Sequence, residues 1–474
     1  MPINIEIGTG TVPVIRERIR PISEDERAAE RGRKILDKVA LSFEEQAEAA
    51  IDGDGNPDAG DTRPAAQPPG ELNPAALHGL AGDVVRAIAP DTEADPTAIL
   101  MQFLIAFGAL VGRGPHVKVE GDQHHTNLFA VIVGASSKAR KGTAWGRVRE
   151  IVQAVPEWPQ TVSGLSTGEG LKFAVRDEIT RTEIDKKTGF TETVVVDAGV
   201  SDKRLLVIES EFAQVLRQAA RPGNTLSATI RPAWDTGTLR TLTRTDPVIA
   251  TGAHICIIGH ITADELRADM TATDTANGFA NRFIFQYAER SKLLPFGGET
   301  TDPGVLANLR ERIHAAMVHA RTLERVGMTP AARDAWTAAY PALSAGAPGL
   351  FGAVTARSEA QCLRLALVYA LLDSAPQIDL PHIAAAISLW ERAEASARFI
   401  FGDALGDTVA DGIRDALRLA GTAGLTRTEI RDLFKRHQSK ERIDAALNLL
   451  LRRGMVKMEK RETGGAPVQV WKHA

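Results

Sequence analysis

Four short, almost uninterrupted apolar runs constrain the fold of this chain more than any other feature. They are LFAVIVG (128–134), RLLVIES (204–210), HICIIGHIT (254–262) and RFIFQYA (282–288), and segments with helical patterns separate them. Strands that are apolar on both sides suit the interior of a parallel sheet that helices cover on both faces. The sequence therefore predicts an α/β fold.

The chain has 474 residues, which is enough for several domains. We predict a helical arm followed by an acidic linker rich in Gly and Pro (1–70), an α/β core (71–300), a helical region (301–405) and a small separate module (406–474). Two helices, at about 75–88 and 96–111, are expected to open the core. Asp95 and Pro96 form an N-cap and first-turn pair for the second helix, and Gly112 stands where it ends.

Charge and apolar content exclude some classes of protein. The net charge of −4 argues against a protein coated in nucleic acid, so any such contact requires local basic patches. The longest apolar run, 99–111, is shorter than the roughly 20 residues that span a bilayer. Cys256 and Cys362 lie far apart in the sequence, each within an apolar run. This pattern indicates buried thiols in a protein of a reducing compartment. We expect a cytoplasmic protein without a membrane span.

The stretch VIVGASSKARKGTAWGRVREIV (131–152) has the layout of a phosphate-binding loop. A buried strand ends at Gly134, a loop of small and basic residues follows, and a helix is expected to begin near Thr143. Such loops bind anions through backbone N–H groups, a helix N-terminus and a lysine. The common spacing, G-x-x-x-x-G-K-[ST], places an arginine where the lysine usually stands. The candidate nucleotide ligands are Gly134, Lys138, Arg140, Lys141, Gly142 and Thr143; the alternative is a basic loop on a solvated surface.

Polar side chains at the ends of two later strands complete this hypothesis. Glu209 ends one apolar strand and Glu211 follows it, where nucleotide hydrolases place carboxylates that hold Mg²⁺ and polarise water. We therefore predict that Thr143 and Glu209 contact Mg²⁺ together with the nucleotide. A solvated strand end is the alternative. His260 ends another strand and could contact a γ-phosphate or cap the next helix.

Arg282, in NGFANRF, follows a glycine-containing turn and precedes a strand. An arginine at this place could neutralise phosphate charge, including in the site of a neighbouring subunit. The alternative is a structural ion pair.

Several of these segments occur in the same order in a known family. EGDQHHTNLFAVIVGASSKARKGT, GLSTGEGL, DKRLLVIESEFAQVL, ATGAHICIIGHIT and NGFANRF resemble a RecA-like P-loop ATPase family that carries only an uncharacterised-domain label. Its members are common on phages, plasmids and other mobile elements, often as the helicase-like half of primase-helicase proteins. The resemblance covers about residues 75–400. It implies a RecA-like core, ATP and Mg²⁺ as ligands, and an oligomeric DNA-processing motor.

The C-terminal segment predicts a further small module. Thr426 and Glu429 form a capping box, a second helix is expected from Ser439 to Arg453, and a hairpin is expected to turn at Gly464-Gly465. With a helix at 408–420, this order resembles a winged-helix domain. Residues 422–474 carry twelve Lys and Arg against six Asp and Glu, although Glu441 and Asp444 make the face of the second helix mixed. Both DNA contact and protein docking remain open for this module.

The candidate DNA-binding residues are basic side chains of two regions. Those of the core lie in the Gly- and Thr-rich stretch RPAWDTGTLRTLTR, which suits a loop lining an oligomer's channel or a solvated face. They are Arg231, Arg240 and Arg244 in the core, and Arg427, Lys440, Arg452 and Arg453 in the C-terminal module.

The sequence thus predicts a helicase-like ATPase of a phage or plasmid replication system that acts on single-stranded or forked DNA. We expect a cyclic homo-oligomer, with a hexamer as the expected ring, and a replication protein as a further partner. The alternative is an adaptor that binds nucleotide without hydrolysis and recruits DNA or a partner through its C-terminal module.

Overall fold

The computed structural model describes residues 68–474, apart from residues 185–190, 242–247, 271–273, 275–276, 300, 403–406, 435 and 462–467. The predicted arm and linker therefore lie almost wholly outside the described residues. Arg244 and the predicted turn at Gly464-Gly465 also lie outside them.

A five-stranded parallel sheet forms the centre of the molecule. Its strands, numbered in chain order, are β1 (Phe129–Val133), β2 (Gln160–Val162), β3 (Arg204–Glu209), β4 (His254–Ile261) and β5 (Phe283–Tyr287). They lie in the order β5-β1-β4-β3-β2, and every neighbouring pair is parallel. The predicted α/β fold with a parallel sheet is confirmed, and the four apolar runs form the three inner strands β1, β3 and β4 and the edge strand β5.

Helices cover both faces of this sheet. In the order of the chain they are α1 (Gly79–Ile88), α2 (Pro96–Val111), α3 (Lys141–Val152), α4 (Gly168–Phe173), α5 (Phe212–Ala219), α6 (Leu226–Asp235) and α7 (Ala263–Asp269). Alternate residues of β1 enter different cores: Ala130 and Ile132 pack with α2 and α3, whereas Phe129 and Val131 pack with α5 and α6. Burial on both faces explains why β1 has no polar residue.

The start of α2 agrees with the sequence prediction. The Asp95 carboxylate accepts the Thr97 N–H at 2.7 Å, and Pro96 occupies the first turn. Gly112 ends the helix with φ +89°, a conformation that favours glycine.

Five helices of the described residues lie within the segment for which a helical region is predicted. They are α8 (Pro303–Ala320), α9 (Pro330–Ser344), α10 (Gly349–Thr355), α11 (Ser358–Leu372) and α12 (Leu380–Phe401). Short strand pairs lie outside the main sheet: His116–Val119 with Asp122–His125, Ile179–Ile184 with Thr191–Asp197, Leu239–Arg240 with Ile249–Ala250, and Gly327–Met328 with Gln377–Ile378. In the part of the chain described, no helix is long and apolar enough to cross a membrane.

The C-terminal module has its own small core. It contains α13 (Thr408–Ala420), β6 (Leu425–Thr426), α14 (Arg427–Leu433), α15 (Lys440–Arg452), β7 (Val456–Arg461) and β8 (Val468–His473), with antiparallel strands in the order β6-β8-β7. The predicted capping box of Thr426 and Glu429 is present, and Ser439 caps α15. Its core residues, among them Ile413, Leu447 and Trp471, form a separate cluster.

Candidate functional site

The connection from β1 to α3, residues 134–140, begins at a point where the direction of the sheet connections changes. From β1 the chain continues to β2 at one edge of the sheet, and from the adjacent β4 it continues to β5 at the other edge. In open parallel sheets, ligands bind beyond the carboxyl ends of the strands at such a point. We call residues 134–140 the loop 134–140.

Gly134 occupies a position at the start of the loop 134–140 that has no room for a side chain. Its N–H donates to the Ile261 carbonyl at 3.2 Å. A Cβ atom here would lie 2.4 Å from the Ala288 carbonyl oxygen and 2.7 Å from the Ala139 Cβ. The loop is therefore packed closely against the ends of β4 and β5.

Lys141 is the first residue of α3, and its ammonium group bends back over the loop. Its Nζ lies 2.9 Å from the carbonyl oxygens of both Gly134 and Ala135. Burial lowers the pKa of Lys141, while the carboxylates of Glu265 and Glu211 act in the opposite direction. The side chain is half-buried and has charge partners within the site.

The N-terminus of α3 is open toward this ammonium group. No side chain caps the helix, and Gly142 and Thr143 in its first turn are exposed. The helix begins at Lys141 because Arg140 adopts a left-handed conformation with φ +53°. The first N–H groups of a helix have no intrahelical acceptor and, with the helix dipole, favour an anion.

Arg140 is directed away from the loop. Its Nε donates to a carboxylate oxygen of Glu93 at 2.6 Å, and the other oxygen of Glu93 accepts the Leu294 N–H at 2.8 Å. Lys138 is exposed, and its carbonyl oxygen accepts from the Arg290 Nε at 3.2 Å. Of the three predicted basic ligands Lys138, Arg140 and Lys141, it is thus Lys141 whose charged group contacts the carbonyl oxygens of the loop 134–140.

The two predicted carboxylates have different surroundings. Glu209 is buried and accepts the Leu165 N–H at 2.6 Å. Burial raises the pKa of Glu209, and hydrogen bonds from the Leu165 and Gly164 backbone oppose this shift. Glu211 is exposed at the start of α5. Glu209 therefore holds the segment after β2, whereas Glu211 is free to act toward Lys141.

His260 lies beneath the site in the core between β4 and α2. Its Nε2 is 2.9 Å from Oε1 of Gln102, and the ring is buried. Burial lowers the pKa of His260 to about 4, and the Lys141 charge adds to this effect. Thr262, paired with Glu265 in a capping box, caps α7. The alternative in which His260 caps this helix is therefore wrong, and its contact with a phosphate stays a prediction.

Arg282 lies at the other end of the sheet from the loop 134–140, because it precedes β5 whereas the loop follows β1. It is buried, and its Nη2 lies 2.5 Å from Oδ2 of Asp235. Its Nη1 also donates to the Gly278 carbonyl. We therefore correct the prediction of an arginine that reaches a neighbouring site: Arg282 is held in a structural ion pair.

The predicted DNA-binding residues do not all present a free charge. Arg231 is half-buried and donates to the Asn277 carbonyl at 2.9 Å, and Arg427 forms an ion pair with Asp444. These two are engaged within the chain. The exposed members are Arg240, Lys440, Arg452 and Arg453.

A cluster of His78, Asp373 and His382 was not anticipated. Among the described residues, the potential ligand atoms of these three side chains lie close enough together to hold a metal ion. The Asp373 carboxylate lies 2.6 Å from Nε2 of His78 and 3.2 Å from Nε2 of His382. However, Nδ1 of His382 accepts the Asp379 N–H at 2.9 Å, so its Nε2 carries the proton. The cluster is a hydrogen-bonded link between α1 and α12, and we propose no metal there.

Three residues of the site were missed or only partly noticed in the sequence. Glu265 could have been found from the capping-box spacing Thr262-x-x-Glu265 after β4. Gln102 stands out as the polar residue in an apolar helical run. Glu93 has no local signal, because its contact with Arg140 joins distant parts of the chain. In comparisons with known proteins, the chain matches no family and no curated protein sequence.

Proposed function

We propose that this protein is an ATPase with a RecA-like P-loop core that couples nucleotide hydrolysis to work on DNA. The observation that carries the proposal is the position of the Lys141 ammonium, on the carbonyls of the loop 134–140 and beside the uncapped start of α3. A phosphate could replace these carbonyls as the partner of the ammonium. The strand order supports the same place for a ligand.

Each residue then has a separate task. Lys141 and the N–H groups of Gly142 and Thr143 hold the terminal phosphates, and Gly134 permits the close approach of the backbone. The Thr143 hydroxyl and the carboxylates of Glu209 and Glu211 supply the hard oxygen ligands that Mg²⁺ prefers. Bound Mg²⁺ would neutralise charge on the phosphates. Glu211 or Glu209 would orient the attacking water.

One observation favours the second candidate, an adaptor that binds nucleotide without hydrolysis. Glu209 is occupied by the Leu165 N–H and is buried. If this bond persists with nucleotide bound, one oxygen of Glu209 stays engaged with the backbone, which weakens its capacity to ligate a metal. The loop would then bind nucleotide as a structural switch.

The C-terminal module supports DNA as the partner. Its order of helices and strands resembles that of a winged helix, in which α15 would be the recognition helix. Lys440, Arg452 and Arg453 are exposed along and after this helix, while Glu441 and Asp444 limit its positive charge. We expect contacts to phosphates rather than to bases.

Steady-state ATP turnover with and without single-stranded DNA separates the two functions. A rate that DNA stimulates and that Lys141→Ala abolishes supports the motor. Binding of ATP with no turnover under either condition supports the adaptor. Light scattering in the same buffers tests the proposed cyclic homo-oligomer and the expected hexamer.

The contribution of the C-terminal module is tested by salt dependence. We expect Arg452→Ala and Arg453→Ala each to reduce the slope of log Kd against log salt for DNA by about 1, because each removes one phosphate contact. Arg427→Ala is the matched control, since this arginine is already paired with Asp444. Equal slopes in all variants would indicate that the module docks a protein.

A further inference from the structure

The segment after β5, residues 288–299, carries the most exposed aromatic side chain of the described residues. Phe296 is fully exposed, and Leu293 in the same segment is largely exposed. Neither packs in the cores that cover the sheet. Exposure of a phenylalanine ring to water is unfavourable in free energy, and no packing contact with the other described residues offsets it.

This segment is held in place on both sides of Phe296. Before it, the Ser291 N–H donates to the Glu93 carbonyl at 3.0 Å and the Leu294 N–H to the Glu93 carboxylate at 2.8 Å. After it, Gly298 lies so close to Asp91 that a Cβ would be 1.9 Å from the Asp91 carbonyl oxygen. A tight turn closes between them, where the Gly297 N–H donates to the Leu294 carbonyl at 2.9 Å.

The same contacts attach the segment to the loop 134–140. Glu93 joins them through one carboxylate, which binds Arg140 with one oxygen and the Leu294 N–H with the other. Arg290 provides a second link, because its Nε donates to the Lys138 carbonyl at 3.2 Å. Phe296 therefore stands on a fixed turn, two residues after Leu294, whose N–H binds the Glu93 carboxylate that also pairs with Arg140.

The strand order indicates which way a bound nucleotide extends. Glu209 ends β3, Glu211 follows that strand and Glu265 follows β4, and both strands lie on the same side of β1. The terminal phosphates require the metal and the attacking water, so they face this side. The nucleoside then extends to the other side of β1, above the end of β5, where the segment 288–299 begins.

We propose that Phe296 forms a stacking platform for the base of the nucleotide whose phosphates bind the loop 134–140. The inference rests on the proposed function, since it assumes a nucleoside triphosphate in this loop. A phenyl ring offers a π-face but no hydrogen-bonding group, so it favours bases by the area of their rings. The predicted ligand is a purine nucleoside triphosphate, with little distinction between adenine and guanine.

The test compares ATP with inorganic tripolyphosphate, which has the phosphates but no base. Calorimetry on the full chain is expected to show that Phe296→Ala raises the Kd for ATP about ten-fold, within the range for base–aromatic stacking, and leaves the Kd for tripolyphosphate unchanged. Phe296→Tyr keeps the ring and should bind ATP like the wild type. Leu293→Ala is the matched control, because it removes exposed apolar surface from the same segment without a ring.

Two results would overturn the inference in distinguishable ways. If Phe296→Ala binds ATP as the wild type does while Lys141→Ala does not, the nucleotide site stands and Phe296 is not its base platform. A simultaneous loss of oligomer mass in Phe296→Ala would then identify the ring as an interface between copies. If the wild type binds neither ATP nor tripolyphosphate, the proposed function itself is wrong.

Discussion

The basic residues around the loop 134–140 have different roles, although the sequence presents them as one cluster. Arg140 pairs with Glu93, Arg147 donates to the carbonyl of Asp91, and Lys138 extends into solvent. Lys141 differs because its ammonium group lies inside the turn of the loop. Much of the positive charge of this stretch therefore fixes the loop to its neighbours, and one lysine is left to act on a ligand.

Removal of the Lys141 side chain should weaken nucleotide binding more than removal of any other basic side chain of the loop. We expect Lys141→Ala to raise the Kd for ATP by about ten- to a hundred-fold, the range for loss of a charge-assisted hydrogen bond. Lys138→Ala, which removes an exposed charge three residues away, is the matched control and should have little effect. The opposite pattern would show that Lys138 contacts the phosphates.

The carboxylates Glu209 and Glu211 can be separated in the same way. Glu209→Gln and Glu211→Gln should both bind ATP, because each substitution keeps the shape of the side chain. We expect Glu211→Gln to lower turnover by about 10²- to 10⁴-fold, the usual contribution of a general base, and Glu209→Gln to have the smaller effect because its carboxylate is occupied by the Leu165 N–H. Turnover is measured at saturating ATP. A larger loss in Glu209→Gln would identify Glu209 as the base.

At the scale of elements, the sequence predicted the strands that are buried on both faces and missed those that are not. β1, β3, β4 and β5 stand out because every position is apolar or nearly so. β2 (Gln160–Val162) has three residues, two of them exposed and polar, so no apolar pattern marks it. The start of α3 was expected near Thr143 and lies at Lys141, because the left-handed Arg140 sets the boundary.

The contacts that fix the site could not have been predicted from local patterns. Glu93 with Arg140 and Gln102 with His260 join residues far apart in the chain. The prediction that Arg282 reaches a neighbouring subunit was wrong for a related reason, because its ion-pair partner is also distant in the chain. Its motif specifies a turn before a strand, but its partner Asp235 ends a helix that folds back to the amino end of the sheet.

Strand β4 carries two buried histidines that predict acid sensitivity. Burial lowers the pKa of His254 to about 3 and that of His260 to about 4, whereas an unfolded histidine has a pKa near 6.5. Below pH 6.5 the unfolded chain therefore binds protons that the folded chain does not. The free energy of unfolding should fall as the pH drops from about 6.5 to about 4, by up to about 1.4 kcal/mol per pH unit for each group.

Urea unfolding between pH 7.5 and 4.5 measures this dependence. His260→Gln should reduce the slope, since glutamine does not titrate and can still bond to Gln102. His437→Gln is the control, because His437 is exposed in the C-terminal module. An unchanged slope in His260→Gln would show that this residue is protonated in the folded state.

On the scale of the whole molecule, the C-terminal module and the α/β core are built differently. The core has large apolar clusters on both faces of one sheet, whereas the module has a small cluster and many ion pairs, among them Arg442 with Asp407 and Lys472 with Glu459. These ion pairs neutralise some of the Lys and Arg side chains that make the module appear as a basic patch in the sequence. The module therefore has fewer free charges for the proposed DNA partner than its excess of Lys and Arg indicates, and we expect any such binding to be weak and salt-sensitive.

The corrected role of Arg282 changes what we expect when two variant chains are mixed and assemble together. If Arg282 completed a neighbour's site, an Arg282→Ala chain mixed with a Lys141→Ala chain would regain activity at interfaces that pair an intact loop with an intact arginine. Because Arg282 is buried against Asp235 at the amino end of the sheet, we expect no such recovery.

Arg282→Ala should instead lower the free energy of unfolding by about 2 to 3 kcal/mol, below the range for a fully buried pair, since Asp235 is partly exposed and Arg357 lies 3.5 Å from it. Asp235→Asn is the matched variant and should lower stability similarly. ATP turnover of the mixed chains, with their co-assembly checked by light scattering, decides the matter: recovered turnover would require Arg282 to leave its ion pair in the assembled ring, and would restore it as a residue that acts between subunits.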